Sequence, residues 1–429
     1  MNPDPHPGRQ AIESGQLAKL RALLSAIVPG NRFYTSKFQA AGLDPAVPTH
    51  QTFRRTLPFT TKRDLVEDQQ ARPPYGTTLT FPVEQYTRFS LTSGTTGHPI
   101  RWLDTPESWA WMVRNKVRVF AVAGLGPGDR VLFPFSFGPF LGFWLAYEAA
   151  LSLGCLCFPA GGLSSIARLK MILENQVTGL CCTPTYAIRL GGVAREENMD
   201  LGQARVKAIF TGGEPGGCVP EITRHIERLW PGARVYDHHG MTETGSVTYA
   251  CPQRRDVLHV IEASYIAEVI EPETGQPVTP GTVGELVLTN LGRVGSPLLR
   301  YRTGDLVRPQ PPGPCACGSH EIALKGGILG RLDDMVVIRG VNVYPVAVEK
   351  VIRAFDEVME YRVEVRKVRG MQELTVVVEL VPGHGPDAKR VARLQKALKA
   401  ALALTLPVTP VPAGTLPRFD MKAKRWVRV

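Results

Sequence analysis

The chain carries two kinds of hydrophobic pattern, which change along its length. Between Val131 and about Gly245, short apolar runs alternate with segments of helical periodicity. The apolar runs end in polar or glycine-rich residues; they are VTGLCCT (177–183), VKAIFTG (206–212) and ARVYDHHG (233–240). The helical segments are SSIARLKMILEN and VPEITRHIERLW. This alternation predicts a parallel β-sheet whose ligands bind beyond the carboxyl ends of the strands.

After Gly245 the pattern shortens to period two. IAEVIEPETGQPVTPGTVGELVLTN alternates apolar and polar residues between turn residues, which predicts antiparallel strands. From about Gly330 the order becomes strand, helix, strand, strand and helix, which indicates a small α+β domain of about a hundred residues. We therefore predict an α/β protein with a large N-terminal domain over residues 1–331, made of parallel-sheet subdomains and a small β-rich subdomain. A small α+β domain over residues 332–429 follows.

Composition narrows the classes of partner. The 429 residues carry a net charge of +11, but the basic residues are scattered and not interleaved with aromatic ones. A phosphate-bearing nucleotide or coenzyme therefore explains the charge as well as nucleic acid does, and we expect no nucleic-acid partner.

The N-terminus lacks an apolar signal core, and the uncharged run from Val131 to Tyr147 is shorter than the roughly 20 residues of a membrane helix. We expect a cytoplasmic protein without a membrane partner.

The stretch SLTSGTTGHPIRW contains an unbroken run of small polar residues. The run consists of Ser93, Gly94, Thr95, Thr96 and Gly97. Glycines allow close backbone approach, and hydroxyl and N–H groups can surround an anion. The P-loop pattern G-x-x-x-x-G-K-[ST] is absent, so the run alone indicates either a phosphate loop or a simple hairpin turn.

Five segments in order carry a resemblance to a known family. They are LTSGTTGHP (91–99), YDHHGMTETG (236–245), YRTGDL (301–306), GRLDDMVVIRGVNVYP (330–345) and PRFDMKAKR (417–425). Together they resemble the adenylate-forming superfamily of acyl-CoA synthetases, luciferase and peptide-synthetase adenylation domains. LPFTTKRDL (57–65), CCTPTYA, LVLTNL and RGVNVYP are similar to the phenylacetate–CoA ligase family in particular. The resemblance extends from about Leu57 to the end of the chain and implies an enzyme that uses ATP, Mg²⁺ and coenzyme A.

The resemblance assigns roles to the phosphate-binding residues. The SGTTG run would be a mobile loop over the β- and γ-phosphates of ATP. The chain departs from the family at His98, where lysine is usual, and a neutral imidazole attracts phosphate less. Whether His98 or Arg101 takes the place of that lysine stays open, and the alternative for His98 is a loop residue without a role.

Further roles follow for the nucleotide and its metal ion. Glu243 would coordinate Mg²⁺ with the hard oxygen ligands that this ion prefers, and Thr242 would contact the α-phosphate. An isolated glutamate could instead be an acid at a helix N-terminus, but the agreement of the neighbouring motifs favours the metal role. Asp305 would accept the ribose hydroxyls, and Arg331 would lie near the ribose and phosphate. The adenine side would be formed by Gly213, Glu214, Pro215, Asp237 and His238.

The C-terminal segment would supply a mobile domain. Asp333 matches the hinge about which the small domain rotates between the two half-reactions. Lys422 matches the lysine of the first half-reaction, although Met421 replaces the usual glycine and Lys424 is an alternative. A basic C-terminus can also be a solvated tail.

Three of the eight cysteines belong to a candidate metal site. Cys155, Cys157, Cys181 and Cys182 lie in apolar strand-like runs, where cysteine acts as a small hydrophobic residue. The candidate ligands are Cys251, His259, Cys315 and Cys317. Three thiolates and one imidazole suit a closed, structural tetrahedral Zn²⁺ site, and some members of the family carry one at matching positions. His320 is a substitute ligand, and reduced unliganded cysteines are the alternative.

The acid-binding pocket is predicted from FSFGPFLGFW. Flat apolar side chains suit an aromatic acid, and a histidine suits a ring hydroxyl or amino group. The predicted lining is Phe137, Phe140, Phe143, Thr211, Gly212 and His238.

The favoured function is an aryl-acid–CoA ligase. Transfer to a carrier protein or an amine, and a non-catalytic nucleotide-binding relative, remain alternatives; a homodimer also stays open.

Overall fold

The computed structural model describes residues 7–28, 30–42, 44, 49–92, 99–338, 341–368, 371–381, 388–419 and 422–429. Its helices are α1 (Arg9–Ile27), α2 (Arg32–Ala41), α3 (His50–Thr56), α4 (Lys62–Ala71), α5 (Pro106–Ala121), α6 (Leu141–Ser152), α7 (Ser165–Glu174), α8 (Pro184–Glu196), α9 (Pro220–Leu229), α10 (Pro345–Ile352) and α11 (Ala388–Leu402).

The strands follow the same chain order. They are β1 (Arg88–Leu91), β2 (Arg101–Asp104), β3 (Arg130–Phe133), β4 (Leu156–Pro159), β5 (Gly179–Cys182), β6 (Ala208–Thr211), β7 (Arg234–Asp237), β8 (Gly240–Met241), β9 (Gly245–Ser246), β10 (Thr248–Ala250), β11 (Val257–Val260), β12 (Tyr265–Ile270), β13 (Gly284–Asn290), β14 (Tyr301–Val307), β15 (Ala323–Lys325), β16 (Gly330–Arg331), β17 (Val336–Ile338), β18 (Val341–Val343), β19 (Val358–Val368), β20 (Met371–Leu380), β21 (Val408–Val411) and β22 (Trp426–Arg428).

The chain divides into two compact units. The first contains Met1–Gly162 and Tyr236–Gly327, and the second contains Leu163–Val235 and Ile328–Val429. In the first unit β3 and β4 pair in parallel, while β12, β13 and β14 form an antiparallel sheet and β10, β11 and β15 form another. The predictions of parallel strands in the middle of the chain and antiparallel strands after Gly245 are confirmed.

The N-terminal helices complete the first unit. Leu20 and Leu24 of α1 and Tyr34 of α2 belong to one buried cluster with Ile266 and Leu299 from the antiparallel sheet region. None of the sequence patterns above predicts these helices. Burial against the sheet accounts for most of their stability, as is usual for short helices.

The second unit contains the parallel pair β5–β6 and a sheet in the order β21–β20–β19–β22. In the long antiparallel pair β19–β20, Val363 lies opposite Val376, and both belong to a core that α10 and α11 complete. Strand β22 pairs in parallel with β19, with Trp426 opposite Val363. The interpretation of the C-terminus as a solvated tail is therefore wrong.

Among the helices described, none has the length and apolar run that a membrane crossing requires.

Candidate active site and candidate metal centre

The first unit places the MTETG segment in a tight hairpin. Strands β8 and β9 pair across Thr242, Glu243 and Thr244. Gly245 closes the turn with φ +81°, and a Cβ added there would lie 3.1 Å from Met112, so the position requires glycine. Glu243 is only 7% exposed and does not lie on a helix. Its interpretation as a helix N-terminal acid is therefore wrong.

Arg293 anchors this hairpin from the loop after β13. Its Nη1 donates to the carbonyl oxygens of Thr242 (2.9 Å) and Glu243 (2.8 Å). Its Nε and Nη2 donate to the two carboxylate oxygens of Asp104, both at 2.6 Å. Both side chains are 0% exposed, so this is a bidentate ion pair in a low-dielectric interior. Sequence patterns could not reveal it, because the partners are 189 positions apart.

A second buried network supports the same hairpin. The Tyr265 hydroxyl donates to the carbonyl oxygen of Thr244 at 2.7 Å, and Asn115 Nδ2 lies 3.4 Å from the Tyr265 oxygen. The Ser264 hydroxyl donates to Asn115 Oδ1 at 2.6 Å. Burial raises the pKa of Tyr265, so its hydroxyl keeps the proton that it donates. The residues flanking Glu243 are thus held by backbone contacts on both sides.

Asp305 lies next to the histidines that follow β7. Its Oδ2 is 3.2 Å from His239 Nε2, and the residue is 3% exposed. The backbone N–H of His239 donates to Thr248 Oγ1 at 2.8 Å, which fixes the segment after Asp237. Sequence reasoning named Asp237 and His238 but missed His239. The only sequence signal for it was its place in the HHG run.

His238 contacts a buried lysine. Lys116 of α5 is 4% exposed, and its Nζ lies 2.5 Å from His238 Nε2. An ammonium group only donates, so Nε2 accepts and the ring proton is on Nδ1. The Lys116 ammonium also lies 4.9 Å from the Phe120 ring centroid. The sequence did not indicate Lys116, since nothing in α5 distinguishes it from a surface lysine.

Three of the predicted pocket residues belong to one aromatic group in the first unit. The Phe135 and Phe143 rings stack at 4.2 Å, Phe140 lies 5.7 Å from Phe143, and Phe137 lies 4.8 Å from Trp144. Phe140 is 41% exposed. Helix α6 begins directly after Phe140 and contacts both β8 and β9, so this group lies beside the hairpin that carries Glu243. Thr211 and Gly212 lie at the end of β6 in the second unit.

The second unit holds the other nucleotide-site candidates around β6. Gly213, Glu214 and Pro215 follow this strand, and Gly213 has φ +85°. A Cβ added to Gly213 would lie 3.3 Å from Lys422 Cε, so Lys422 lies against this turn. Lys424 is exposed.

The remaining candidates are distributed along the chain. Arg331 pairs with Asp333 through Nε to Oδ1 at 2.8 Å. Arg101 is exposed, and its Nη1 donates to the Pro74 carbonyl oxygen at 3.4 Å. The residues of the SGTTG run, Ser93, Gly94, Thr95, Thr96 and Gly97, lie outside the described residues, as do His98 and Met421.

The four candidate zinc ligands come together in the first unit. One ligand atom from each of Cys251, His259, Cys315 and Cys317 lies within 4.8 Å of all the others. The Cys251 and Cys315 sulfurs are 3.8 Å apart, and Cys317 Sγ is 3.4 Å from His259 Nε2. His259 Nδ1 faces the Glu321 carbonyl oxygen at 3.4 Å, which leaves Nε2 for a metal. The clustering predicted from sequence is confirmed.

Comparisons with known proteins agree with this arrangement. Residues 50–292 match the AMP-binding enzyme family, and residues 340–428 match the AMP-binding enzyme C-terminal domain. The chain is 30% identical over 433 residues to a phenylacetate-coenzyme A ligase of Thermus thermophilus, with 96% of this chain and 95% of that protein covered. It is 30% identical over 424 residues to the Pseudomonas putida phenylacetate-coenzyme A ligase, with coverages of 96% and 93%.

A solved structure is similar over almost the whole chain. It is 2-hydroxyisobutyryl-CoA ligase in the postadenylation state, in complex with 2-HIB-AMP. Its TM-score is 0.93 at 27% identity, and the match covers 99% of this chain and 91% of that chain. The chain therefore belongs to the phenylacetate–CoA ligase family of adenylate-forming enzymes, and it is an AMP-forming ligase that uses ATP to join a carboxylic acid to coenzyme A.

Proposed function

We propose that the substrate is an aromatic carboxylic acid of the phenylacetate or benzoate type, including acids with a ring hydroxyl or amino group. The aromatic group around Phe137, Phe140 and Phe143 carries this proposal, because it adjoins the hairpin that holds Glu243. Aromatic rings recognise one another through offset and edge contacts beyond simple area burial. Full-length relatives that act on phenylacetate support the same class.

The His238–Lys116 pair supports a polar ring substituent. Lys116 donates to His238 Nε2 and thereby keeps a donor N–H on Nδ1 of that ring. A site with a fixed hydrogen-bond donor discriminates strongly against acids that lack the matching acceptor. We therefore expect a hydroxy-substituted acid, whose oxygen can accept this bond, to be preferred over its unsubstituted form.

In the first half-reaction, a carboxylate oxygen of the acid attacks the α-phosphorus of ATP. The bond from that phosphorus to the bridging oxygen breaks, and pyrophosphate leaves. Glu243 would hold Mg²⁺, which neutralises charge on the phosphates. Thr242 would contact the α-phosphate, and Asp305 would accept the ribose hydroxyls. Arg293 would act through backbone contacts, by keeping the Thr242–Glu243 turn fixed before substrate binds.

Lys422 would supply positive charge where the negative charge develops on the α-phosphate. In the second half-reaction the thiolate of coenzyme A attacks the acyl carbon, the bond from that carbon to the AMP oxygen breaks, and AMP leaves. The thiol proton passes to solvent. We propose that residues 332–429 move as a domain about Asp333 between these steps, so that Lys422 serves only the first.

The Cys251, His259, Cys315 and Cys317 cluster fits structural zinc. A tetrahedral ion with Zn–S bonds of about 2.3 Å and a Zn–N bond of about 2.0 Å places two sulfurs about 3.8 Å apart and a sulfur and nitrogen about 3.5 Å apart. The observed separations are 3.8 and 3.4 Å. Four protein ligands would leave no position for substrate, so the ion would stabilise the fold.

A panel of acids tests the substrate class. Acid-dependent exchange of labelled pyrophosphate into ATP is measured with phenylacetate, benzoate, their hydroxy and amino derivatives, and 2-hydroxyisobutyrate. Thioester formation is then measured with coenzyme A. An aromatic acid should give the highest kcat/KM. Preference for 2-hydroxyisobutyrate, the acid of the structural relative, would refute the aromatic assignment.

A further inference from the structure

The C-terminal segment that carries Lys422 is fastened to the turn after β6 through a carboxylate. Glu214 Oε2 accepts the backbone N–H of Ala423 at 3.1 Å. Glu214 Oε1 accepts the backbone N–H of Thr185, at the start of α8, at 2.8 Å. One side chain therefore bridges two segments that are far apart in the sequence.

A second set of contacts involves Arg425, two residues after Ala423. Arg425 is 5% exposed, and its guanidinium binds Glu360 through Nε at 2.6 Å and Nη2 at 3.2 Å. Its Nη1 donates to Thr185 Oγ1 at 3.1 Å and to Glu349 Oε1 at 3.2 Å. Glu349 and Glu360 lie on α10 and β19, so they anchor Arg425 within the C-terminal sheet and helix layer. Thr185 is the contact that reaches α8.

These contacts hold the backbone that immediately follows Lys422. Glu214 fixes Ala423, Arg425 reaches Thr185, and Lys422 Cε lies beside Gly213. We propose that Thr185 and Glu214 form a seat that positions Lys422 for adenylation, and that thioester formation does not need this seat. The proposal rests on the role proposed for Lys422 in the first half-reaction.

The chemistry of the contacts suits a reversible seat. Burial raises the pKa of the Glu214 carboxyl, with the Glu349 charge adding to the effect, while hydrogen bonds from Thr185 and the Arg425 charge favour its ionised form. Few hydrogen bonds are involved, and each bond to a charged group changes an equilibrium by about tenfold to a hundredfold. Such bonds can populate one arrangement strongly and still break during turnover.

Thr185→Val is the cleanest test. It removes the hydroxyl that Arg425 contacts but keeps the shape and the backbone N–H that Glu214 binds, and Arg425 Nη1 retains Glu349. Pyrophosphate exchange should fall about tenfold or more, through kcat rather than the KM for ATP. Conversion of synthetic phenylacetyl-adenylate and coenzyme A to thioester should change less than about twofold. Glu197→Gln, an exposed position just beyond the other end of α8, is the control.

Two further measurements separate this inference from the proposed function. Adding Thr185→Val to Lys422→Ala should cause no additional loss of exchange, because the seat acts only through Lys422; a multiplicative loss would overturn the proposal. Equal loss in both half-reactions would also overturn it. Amide hydrogen exchange of the peptide containing Ala423 should quicken in Glu214→Ala, which removes both acceptor oxygens, and an unchanged rate would show that no seat exists. A wild-type protein without pyrophosphate exchange on any acid, but with that quickening, would instead refute the role proposed for Lys422 and, with it, the seat's function.

Discussion

Replacing Arg293 by methionine should destabilise the first unit and weaken adenylation together. The substitution leaves the fully buried Asp104 carboxylate without the two 2.6 Å bonds that it receives. It also removes the donor shared by the Thr242 and Glu243 carbonyl oxygens. Removing one partner of a buried ion pair typically costs about 3–5 kcal/mol. This is a large share of the roughly 5–15 kcal/mol by which proteins are stable.

Most of that cost should come from the uncompensated charge. The double variant Arg293→Met with Asp104→Asn has no buried charge left unpaired, so it should recover at least about 1 kcal/mol of the loss. Adenylation should not recover with it, because the hairpin carbonyls still lack their donor. The combination of regained stability with persistent loss of exchange would distinguish the two roles of Arg293.

Urea unfolding followed by tryptophan fluorescence is a suitable assay, since the Arg293 guanidinium lies 4.9 Å from the Trp102 ring. Arg63→Met is the control, because Arg63 pairs with Glu67 on the exposed face of α4 and should leave the midpoint unchanged. A destabilisation below about 1 kcal/mol in Arg293→Met would refute the buried-charge argument. Full recovery of exchange in the double variant would refute the anchoring argument.

Three further predictions concern the metal ions and the C-terminal lysines. Glu243→Gln should fold normally but lose pyrophosphate exchange at low Mg²⁺, because it removes the carboxylate charge that Mg²⁺ prefers. Protein prepared without a metal-affinity tag should contain one zinc per chain, and Cys315→Ser should lower both zinc content and thermal stability more than kcat. Lys422→Ala should reduce acyl-adenylate formation by roughly a hundredfold to a thousandfold and spare thioester formation from supplied acyl-adenylate, whereas Lys424→Ala should change little.

Each of these has an outcome that would contradict it. Unchanged exchange at low Mg²⁺ in Glu243→Gln would remove that residue from the metal site. Zinc-free protein after careful reduced preparation would leave the Cys/His cluster without a metal role. If Lys424→Ala loses acyl-adenylate formation while Lys422→Ala retains it, the lysine of the first half-reaction is Lys424, two residues further along the chain.

The sequence by itself determined the local elements and the residue types of the site. Apolar runs and their periodicity predicted β5, β6, the antiparallel strands after Gly245 and the C-terminal α+β layer, because side-chain direction repeats every 2 or 3.6 residues. Ligand chemistry and the family resemblance together pointed to Cys251, His259, Cys315 and Cys317 as one site, and the structure places these four side chains together. Their spacing is not that of a standard zinc finger, so the spacing alone was not decisive.

Only the tertiary structure decided which distant residues became partners. Arg293 meets Asp104 across 189 positions, and Arg425 meets Thr185 across 240. The structure also converted an apparently solvated basic tail into β22, by pairing it with β19. Propensity and periodicity act over a few neighbouring residues, whereas these contacts depend on packing and on satisfying buried charges after the chain has folded. For that reason the sequence was enough to predict the chemical groups of the site, but not the residues that position them.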